Sequence, residues 1–240
     1  MPPARWTIYS YLKNKIMTQL EHELQALKIE VLSMWNLVES QLQKSRTAML
    51  RFDRDLAREV VLKEKRVNAF ELKLDRDCED IFALYCPVAI DLRFLLAVLK
   101  INNNLERIGD IAEGIAKYTV ESLKDFDATL FAKTGLMDMF DDAISILSDT
   151  RVAFEKEDTT LARSIFKRDE VLDEINYDAI DRISACIKEN PEITNDALYV
   201  LSIIRKLERV GDQSKNIAEE IIFYIEAKVL KHQQNVAAKG

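Results

Sequence analysis

The chain has 240 residues and a formal net charge of −7 at pH 7, which argues against a general nucleic-acid binder because such a protein needs a basic face. Hydrophobic residues make up 48% of the sequence, enough for a sizeable core, and only five glycines and four prolines interrupt it, which favours long helices over an all-β fold. No apolar run approaches the roughly 18 residues that span a bilayer, and the N-terminus lacks a signal-peptide core, so we expect a cytoplasmic protein.

Helical periodicity begins at Thr18. This residue is a candidate N-cap with Glu21 three positions later, and apolar residues at helical spacing follow it. Residues 1–17 are weakly patterned and the tail from His232 is polar, so we expect both ends to be frayed. The predicted helices span residues 18–50, 53–85, 89–123, 136–154, 158–189 and 194–231.

The helical pattern occurs twice. Asp53 begins the second predicted helix as Asp158 begins the fifth, and Pro87 and Pro191 follow these helices at a nearly constant offset. Residues 124–134 form the only plausible linker between the halves. Because short connections make neighbouring helices antiparallel, the sequence predicts an all-α fold of two tandem three-helix bundles, with six long antiparallel helices. The two bundles are expected at residues 18–123 and 135–231.

A short acidic motif occurs once in the last helix of each half. The segment LERIGD at residues 105–110 recurs as LERVGD at residues 207–212. On a helix, the Glu and Asp of this spacing lie on one face, one turn apart, where their like charges repel. One interpretation is a stripe that has rotated out to solvent, with Arg107 and Arg209 neutralising the acids. The repetition of the motif at matching places favours a functional site instead.

Polar residues on the preceding helix of each half can face this motif. The helices that flank Pro87 are antiparallel neighbours and carry their acids at similar heights, and the same holds around Pro191. Carboxylates gathered in this way repel unless a cation lies between them. All-oxygen ligands suit Mg²⁺, Ca²⁺, Mn²⁺ or ferric iron. The candidate residues are Glu64, Asn68, Glu71, Glu106 and Asp110 in the first half, and Asp169, Asp173, Glu208, Asp212 and Asn216 in the second.

Each copy of the motif also contains a glycine inside a helix, Gly109 or Gly211. A glycine costs about 1 kcal/mol there relative to alanine, so we expect each glycine to permit a close approach of two helices. Helix packing without any role in a metal site is the alternative interpretation.

The cysteines and histidines exclude several other kinds of site. Cys78, Cys86 and Cys186 form no CxxC pair and lie in apolar-looking segments, which predicts buried, reduced thiols. The two histidines, His22 and His232, lie near the chain ends, so the Glu-x-x-His motif of a ferritin-type di-iron oxidase is missing. The sequence also has no Gly-x-Ser-x-Gly and no P-loop.

Two three-helix halves, each with E-R-[IV]-G-D in its third helix, resemble the PhoU family of phosphate-specific transport accessory proteins. The first half also has Asp91-Leu92-Arg93 after Pro87, and the second has Asn216-Ile217 before Ile222-Phe223-Tyr224, as is typical of that family. The resemblance covers about residues 18–228. It implies a cytoplasmic protein that can lie at the inner face of the membrane through its partners. It further implies a negative regulator of the phosphate-starvation response that links the phosphate ABC importer and its ATPase to a sensor histidine kinase. We also expect a homodimer.

The resemblance implies that the acidic motifs bind multinuclear metal clusters, with the identity of the metal left open among iron, manganese, magnesium and zinc. The implied ligands are Glu106, Asp110, Glu208, Asp212 and Asn216, faced by Glu64, Asn68, Glu71, Asp169 and Asp173. The chain departs from the full E-x-x-x-D-x-x-x-N/D form at Gly114, and Asn68 stands where the second half has Asp173. We therefore expect a weaker first site, or one that uses Glu113.

Two other functions remain open at this point. One is a metal-dependent phosphohydrolase, and the other is a structural helical module that binds partner helices through a surface with solvated acids. A hydrolase is disfavoured because no general base, nucleophile or phosphate-gripping cluster of Arg and Lys is evident beside the acids. We therefore expect a regulator without enzymatic activity.

Overall fold

The computed structural model describes residues 18–230, and all regular structure within this range is helical. The predicted N-terminal frayed end and the tail from His232 lie outside the described residues. Helices α1 to α7 span Gln19–Arg51, Arg54–Tyr85, Ala89–Glu121, Ala128–Thr134, Leu136–Lys156, Thr159–Glu189 and Thr194–Glu226, and a 3-10 turn at Pro191–Ile193 precedes α7. The predicted all-α fold with a repeated three-helix pattern is confirmed.

The first turns of three helices are fixed by side chains that the sequence identifies as caps. Thr18 Oγ1 accepts a hydrogen bond from the backbone N–H of Glu21, and the Glu21 side chain accepts one from the N–H of Thr18. The Asp53 carboxylate caps α2 and the Asp158 carboxylate caps α6, each by accepting two backbone N–H groups of the first turn. These bonds satisfy donors that a helix leaves free at its N-terminus.

The structure differs from the prediction in the linker's conformation and in the end of the last helix. The predicted linker at residues 124–134 contains the short helix α4, which Asp127 caps and which buries Leu130 and Phe131 in the core. The last helix ends at Glu226 rather than near residue 231, because Ala227 takes the left-handed conformation with φ 57°.

The two halves pack on each other through α3 and α7. Arg93 Nε on α3 donates to the Tyr224 carbonyl near the end of α7, with 3.1 Å between the atoms. At the other end of α3, the hydroxyl of Tyr118 lies 2.7 Å from Ser202 Oγ. The two helices are therefore antiparallel, and the two LER[IV]GD segments lie near the middle of the pair.

One hydrophobic core serves both halves. Trp35 from α1 and Phe94 from α3 both stack on Phe154 from α5, with ring centroids 5.9 and 6.2 Å apart. Phe94 also meets the ring of Tyr224 from α7 edge-on at 5.5 Å. These contacts are part of a continuous cluster of buried residues that runs through both bundles.

The cysteines are only partly as predicted. All three are free thiols, and Cys78 and Cys186 are buried. The prediction is wrong for Cys86, which is exposed because it ends α2 in the left-handed conformation just before Pro87. Along the described residues, no helix is both long and apolar enough to cross a bilayer.

Candidate metal centre and the cleft between the halves

The first acidic cluster lies between α2 and α3. Gly109 on α3 lies close to α2, because a Cβ atom there would lie only 3.0 Å from Val67 Cγ1. The helices are therefore close, and Glu64, which is 9% exposed, is nearly enclosed between them. Asn68 hydrogen-bonds to Glu64, while Glu106 is half-buried and Asp110 is exposed.

The carboxylates of this cluster raise one another's pKa values. Burial, together with the charges of Asp110, Glu71 and Glu64, raises the pKa of Glu106 to about 7 from an ordinary 4.5. Burial and the charge of Asp110 also raise the pKa of Glu64. The pKa of Glu71 rises for the same reasons, with a further contribution from Asp75. All three glutamates thus experience a local excess of negative charge.

Two asparagines on α3 complete the first cluster. Asn102 Nδ2 donates to the Glu71 carbonyl at 3.0 Å and to Asp75 Oδ1 at 2.9 Å, and Asn103 hydrogen-bonds to the Glu71 side chain. Asn102 is 1% exposed, and its Oδ1 atom accepts no hydrogen bond. Asn102 lies four residues before Glu106 on the same face of α3, so helical spacing in the sequence predicts its position. Its bond to Asp75 could not be predicted in this way, because it depends on how α2 packs against α3.

The second acidic cluster lies between α6 and α7. Asp169 on α6 is 1% exposed, and it packs against Gly211, where a Cβ atom would overlap both its carboxylate and Leu172. Lys215 on α7 reaches into the cluster and donates to Asp169 Oδ2 at 2.5 Å and to Asp212 Oδ1 at 2.8 Å. A lysine ammonium thus lies where the sequence predicts a metal ion.

The other acids of this cluster are less enclosed. Burial raises the pKa of Glu208, and the charges of Asp212, Asp173 and Asp169 raise it further. Burial also raises the pKa of Asp169, although its bond to Lys215 opposes the shift. Asp173 is exposed. Asn216 is half-buried one turn beyond Asp212, and it forms no hydrogen bond with the cluster.

Glu64 and Asp169 occupy equivalent places in the two halves, since each lies eleven residues after the aspartate that caps its helix. Each carries one buried carboxylate oxygen without a hydrogen-bond partner, Glu64 Oε1 and Asp169 Oδ1. Buried polar atoms are nearly always paired, and oxygen donors suit hard cations, so these atoms are suitable ligands for such an ion. As the side chains stand between residues 18 and 230, however, no group of three or more His, Cys, Asp or Glu residues could hold a metal ion.

A cleft of about 720 Å³ separates the two copies of the motif where α3 and α7 face each other. Both motif aspartates, Asp110 and Asp212, line this cleft. Four basic residues line it as well: Arg107, Lys117, Lys206 and Arg209. The expectation that no cluster of Arg and Lys lies beside the acids is therefore wrong, because these cations come from both halves and only the α3–α7 contact brings them together.

Of these four cations, only Lys117 forms an ion pair within the residues that the structure describes. Lys117 forms an ion pair with Glu113 at 2.7 Å, which engages the residue proposed as a substitute ligand for the first site. The ammonium of Lys206 lies beside Gly114 and 6.0 Å from the centre of the Tyr118 ring. Within the described part of the chain, Arg107, Lys206 and Arg209 form no ion pair. Arg107 and Arg209 lower the pKa of the neighbouring Glu106 and Glu208, but burial and the carboxylate charges that raise these pKa values have the larger effect.

The fold and these clusters define a class of protein: a tandem helical repeat that carries equivalent acidic clusters on facing helices. A family model described as the PhoU domain matches the chain twice, at residues 31–119 and 136–221. The chain belongs to the PhoU family.

Named relatives and solved structures agree with this assignment. The phosphate-specific transport system accessory protein PhoU of Edwardsiella tarda is 32% identical over 89% of this chain and 87% of its own length. The protein of the same name from Escherichia coli strain K12 is 31% identical over 92% of this chain and 91% of its own. The crystal structure of PhoU from Pseudomonas aeruginosa has a TM-score of 0.80 and 27% identity, and it covers 88% of this chain and 100% of its own. The phosphate transport system regulatory protein PhoU from Streptococcus pneumoniae has a TM-score of 0.81 over 89% of this chain and 100% of its own, at 27% identity.

Proposed function

We propose that the protein is a metal-binding regulator of phosphate uptake. The observation that carries this proposal is the pair of equivalent buried carboxylates, Glu64 and Asp169, each with an unpaired oxygen inside an acidic cluster. The named relatives are accessory proteins of phosphate-specific transport, which supports the same role for this chain.

The proposed ligands of the first site come from α2 and α3, and those of the second from α6 and α7. They are Glu64, Asn68, Glu71, Glu106 and Asp110 in the first half, and Asp169, Asp173, Glu208, Asp212 and Asn216 in the second. A metal ion would supply positive charge that the first cluster lacks and that Lys215 alone supplies in the second, and iron, manganese, magnesium and zinc are the candidates. Metal binding requires the exposed acids to turn inward, and Lys215 must release Asp169 and Asp212.

The two sites are expected to differ in affinity. Gly114 takes the place in the first half that Asn216 holds in the second, so the first site has one donor fewer. The ammonium of Lys206 also lies beside Gly114, which opposes binding of a cation nearby. We expect the second site to retain metal at lower metal concentrations than the first.

The regulatory role that we propose is negative control of the phosphate-starvation response. The protein would act in the cytoplasm as a homodimer, through contacts with a sensor histidine kinase and with the ATPase of the phosphate ABC importer. We infer that it is not an enzyme, because none of the clusters pairs a nucleophile with a base. The acidic clusters would set the spacing of α2 against α3 and of α6 against α7, and so the shape of the docking surface.

Metal content and regulation are tested separately. Elemental analysis and anomalous scattering of purified protein should place a metal beside Asp110 or Asp212. A deletion strain should express phosphate-starvation genes in rich phosphate. The wild-type gene should restore repression, whereas Asp110→Ala combined with Asp212→Ala should not. Full repression by the double variant would separate the metal sites from regulation, and normal repression in the deletion strain would refute the regulatory role.

A further inference from the structure

We propose that the cleft between the two LER[IV]GD segments binds a small phosphate-bearing anion, held by Arg107, Lys206 and Arg209. The inference concerns a second ligand, distinct from the proposed metals. It rests on the proposed function only for its biological meaning, since the binding itself requires neither metal nor a partner protein.

The charges of the cleft favour an anion. Its seven charged side chains are Arg107, Lys117, Lys206, Arg209, Asp110, Glu113 and Asp212. The ion pair of Lys117 with Glu113 neutralises one charge of each sign, and Lys215 shares its single charge between Asp212 and the buried Asp169. The four cations and three carboxylates that line the cleft therefore leave an excess of one positive charge, and Arg107, Lys206 and Arg209 form no ion pair among the described residues. This excess is notable in a chain whose net charge is −7.

The types of cation and their placement favour a phosphate group. A guanidinium group presents a planar fork of N–H donors that matches two oxygens of a phosphate, and the cleft has one such group from each half. Lys206 adds a compact ammonium that lies 6.0 Å from the centre of the Tyr118 ring and beside the backbone of Gly114. Gly114 thus has a second effect: besides removing a metal donor, it leaves space for this ammonium.

The size of the cleft sets the size of the ligand. Small-molecule sites in proteins usually measure about 300–1,000 Å³, and this cleft, at about 720 Å³, lies within that range. A single phosphate group would leave much of it to water. An anion with two linked phosphates can contact cations of both halves together, so we expect diphosphate to bind more tightly than inorganic phosphate.

Calorimetric titration in the presence of a chelator measures this binding without metal. Inorganic phosphate and diphosphate are titrated in separate experiments at constant ionic strength, which distinguishes free phosphate from a diphosphate-bearing compound as the preferred ligand. We expect one saturable site per chain. Arg107→Gln combined with Arg209→Gln should weaken binding about tenfold or more, because hydrogen bonds between charged groups are lost. Both arginines are exposed, so the variant should fold normally.

The control variant carries Arg66→Gln and Arg205→Gln, which remove the same charge from exposed positions outside the cleft and should leave the affinity unchanged. Asp110→Asn should act in the opposite direction and strengthen binding, because it removes the unpaired negative charge from the cleft. Absence of saturable binding of both anions, or equal affinity of the two double variants, would overturn the inference. If neither anion binds but the protein still binds metal and represses the phosphate-starvation genes, the inference fails and the proposed function stands.

Discussion

Lys215 and Asp169 form an ion pair across the interface of α6 and α7, with 2.5 Å between Nζ and Oδ2. The carboxylate is almost completely buried, whereas 28% of the lysine side chain is exposed. Burial alone would lower the pKa of Lys215, but its hydrogen bonds to Asp169 and Asp212 outweigh burial and raise it. The lysine therefore carries its charge throughout the physiological range and supplies the positive charge of the second cluster.

Replacing this lysine should destabilise the protein. Lys215→Met leaves Asp169 buried without a counter-charge, and we expect a loss of about 1–3 kcal/mol in the free energy of unfolding. Urea denaturation in chelator measures the loss. Lys228→Met is the control, since it removes a solvent-exposed ion pair with Glu226 and should cost less than about 0.5 kcal/mol. Equal losses of unfolding free energy for the two substitutions would show that the Lys215 ion pair stabilises the protein no more than a solvent-exposed pair does.

The same variant should bind metal more tightly at the second cluster. Lys215 and a metal ion compete for the carboxylates of Asp169 and Asp212, so removing the ammonium removes the competitor. Titration with Mn²⁺ or Mg²⁺, followed by calorimetry, compares the wild-type protein with Lys215→Met. A lower affinity in the variant would indicate that Lys215 organises the ligands rather than competing with the metal.

Metal should stabilise the folded protein through Asp212. A ligand that binds only the folded state adds about 2.7 kcal/mol at a hundredfold excess over its Kd. We expect Asp212→Ala to lose the part of this gain that comes from the second site, while its stability in chelator changes by only a few tenths of a kcal/mol. The control is Asp178→Ala, which removes an exposed acid of α6 outside the cluster. Equal destabilisation of the Asp212 variant with and without metal would argue for a purely structural ion pair.

The raised pKa of Glu106 predicts a pH dependence in metal-free protein. Between 4.5 and about 7, the folded state retains a proton on Glu106 that the unfolded chain has released. The contribution of Glu106 to the free energy of unfolding should therefore be fully present below this pH window and should decline as the pH rises through it. The neighbouring Glu64, Glu71 and Asp110 strengthen this trend, and Arg107 weakens it.

Glu106→Gln should flatten the decline, because glutamine does not titrate. Urea midpoints measured in chelator across the window, for this variant and for the exposed-acid control Glu79→Gln, test the assignment. An unchanged slope in Glu106→Gln would place the titration on another group.

Two glycines of the chain should respond in opposite ways to alanine. At Gly211 the added methyl group would overlap the buried Asp169 and lie 2.7 Å from Leu172 Cδ1, so we expect a loss of about 1–3 kcal/mol. At Gly114 the atom nearest to the added methyl group would be Lys206 Nζ, at 2.8 Å, and this end of a flexible side chain can move aside. Alanine there should be neutral or add up to about 1 kcal/mol through helix propensity. Thermal and urea unfolding of both variants provide the comparison.

Local signals made the helix starts predictable. Thr18, Asp53 and Asp158 cap their helices through bonds to residues two or three positions away, so the sequence contains both partners. The helix at Ala128–Thr134 has a similar cap, but seven residues are too few to be stable alone. Its Leu130 and Phe131 are stabilised by burial in the core, which depends on distant parts of the chain.

The acidic clusters were predictable for the same reason, and the cleft was not. Glu106 and Asp110 share a helix face by spacing alone, and a short turn brings α2 beside them. The cleft combines Arg107 with Lys206 from the other half, which requires the register of α3 against α7. Lys215 is an intermediate case, since its position three residues after Asp212 indicates one of its bonds but not the bond to Asp169.

The antiparallel packing of α3 on α7 places each repeat against an equivalent surface of the other. This is the geometry of an isologous contact, in which a patch pairs with a second copy of itself. A chain with a single repeat would make the same contact as a two-fold dimer, and a gene duplication that joined two such chains would preserve it. Fusion also allows the copies to diverge separately. The first repeat has Gly114 where the second has Asn216, a difference that no symmetric ancestor could have carried in only one of its subunits.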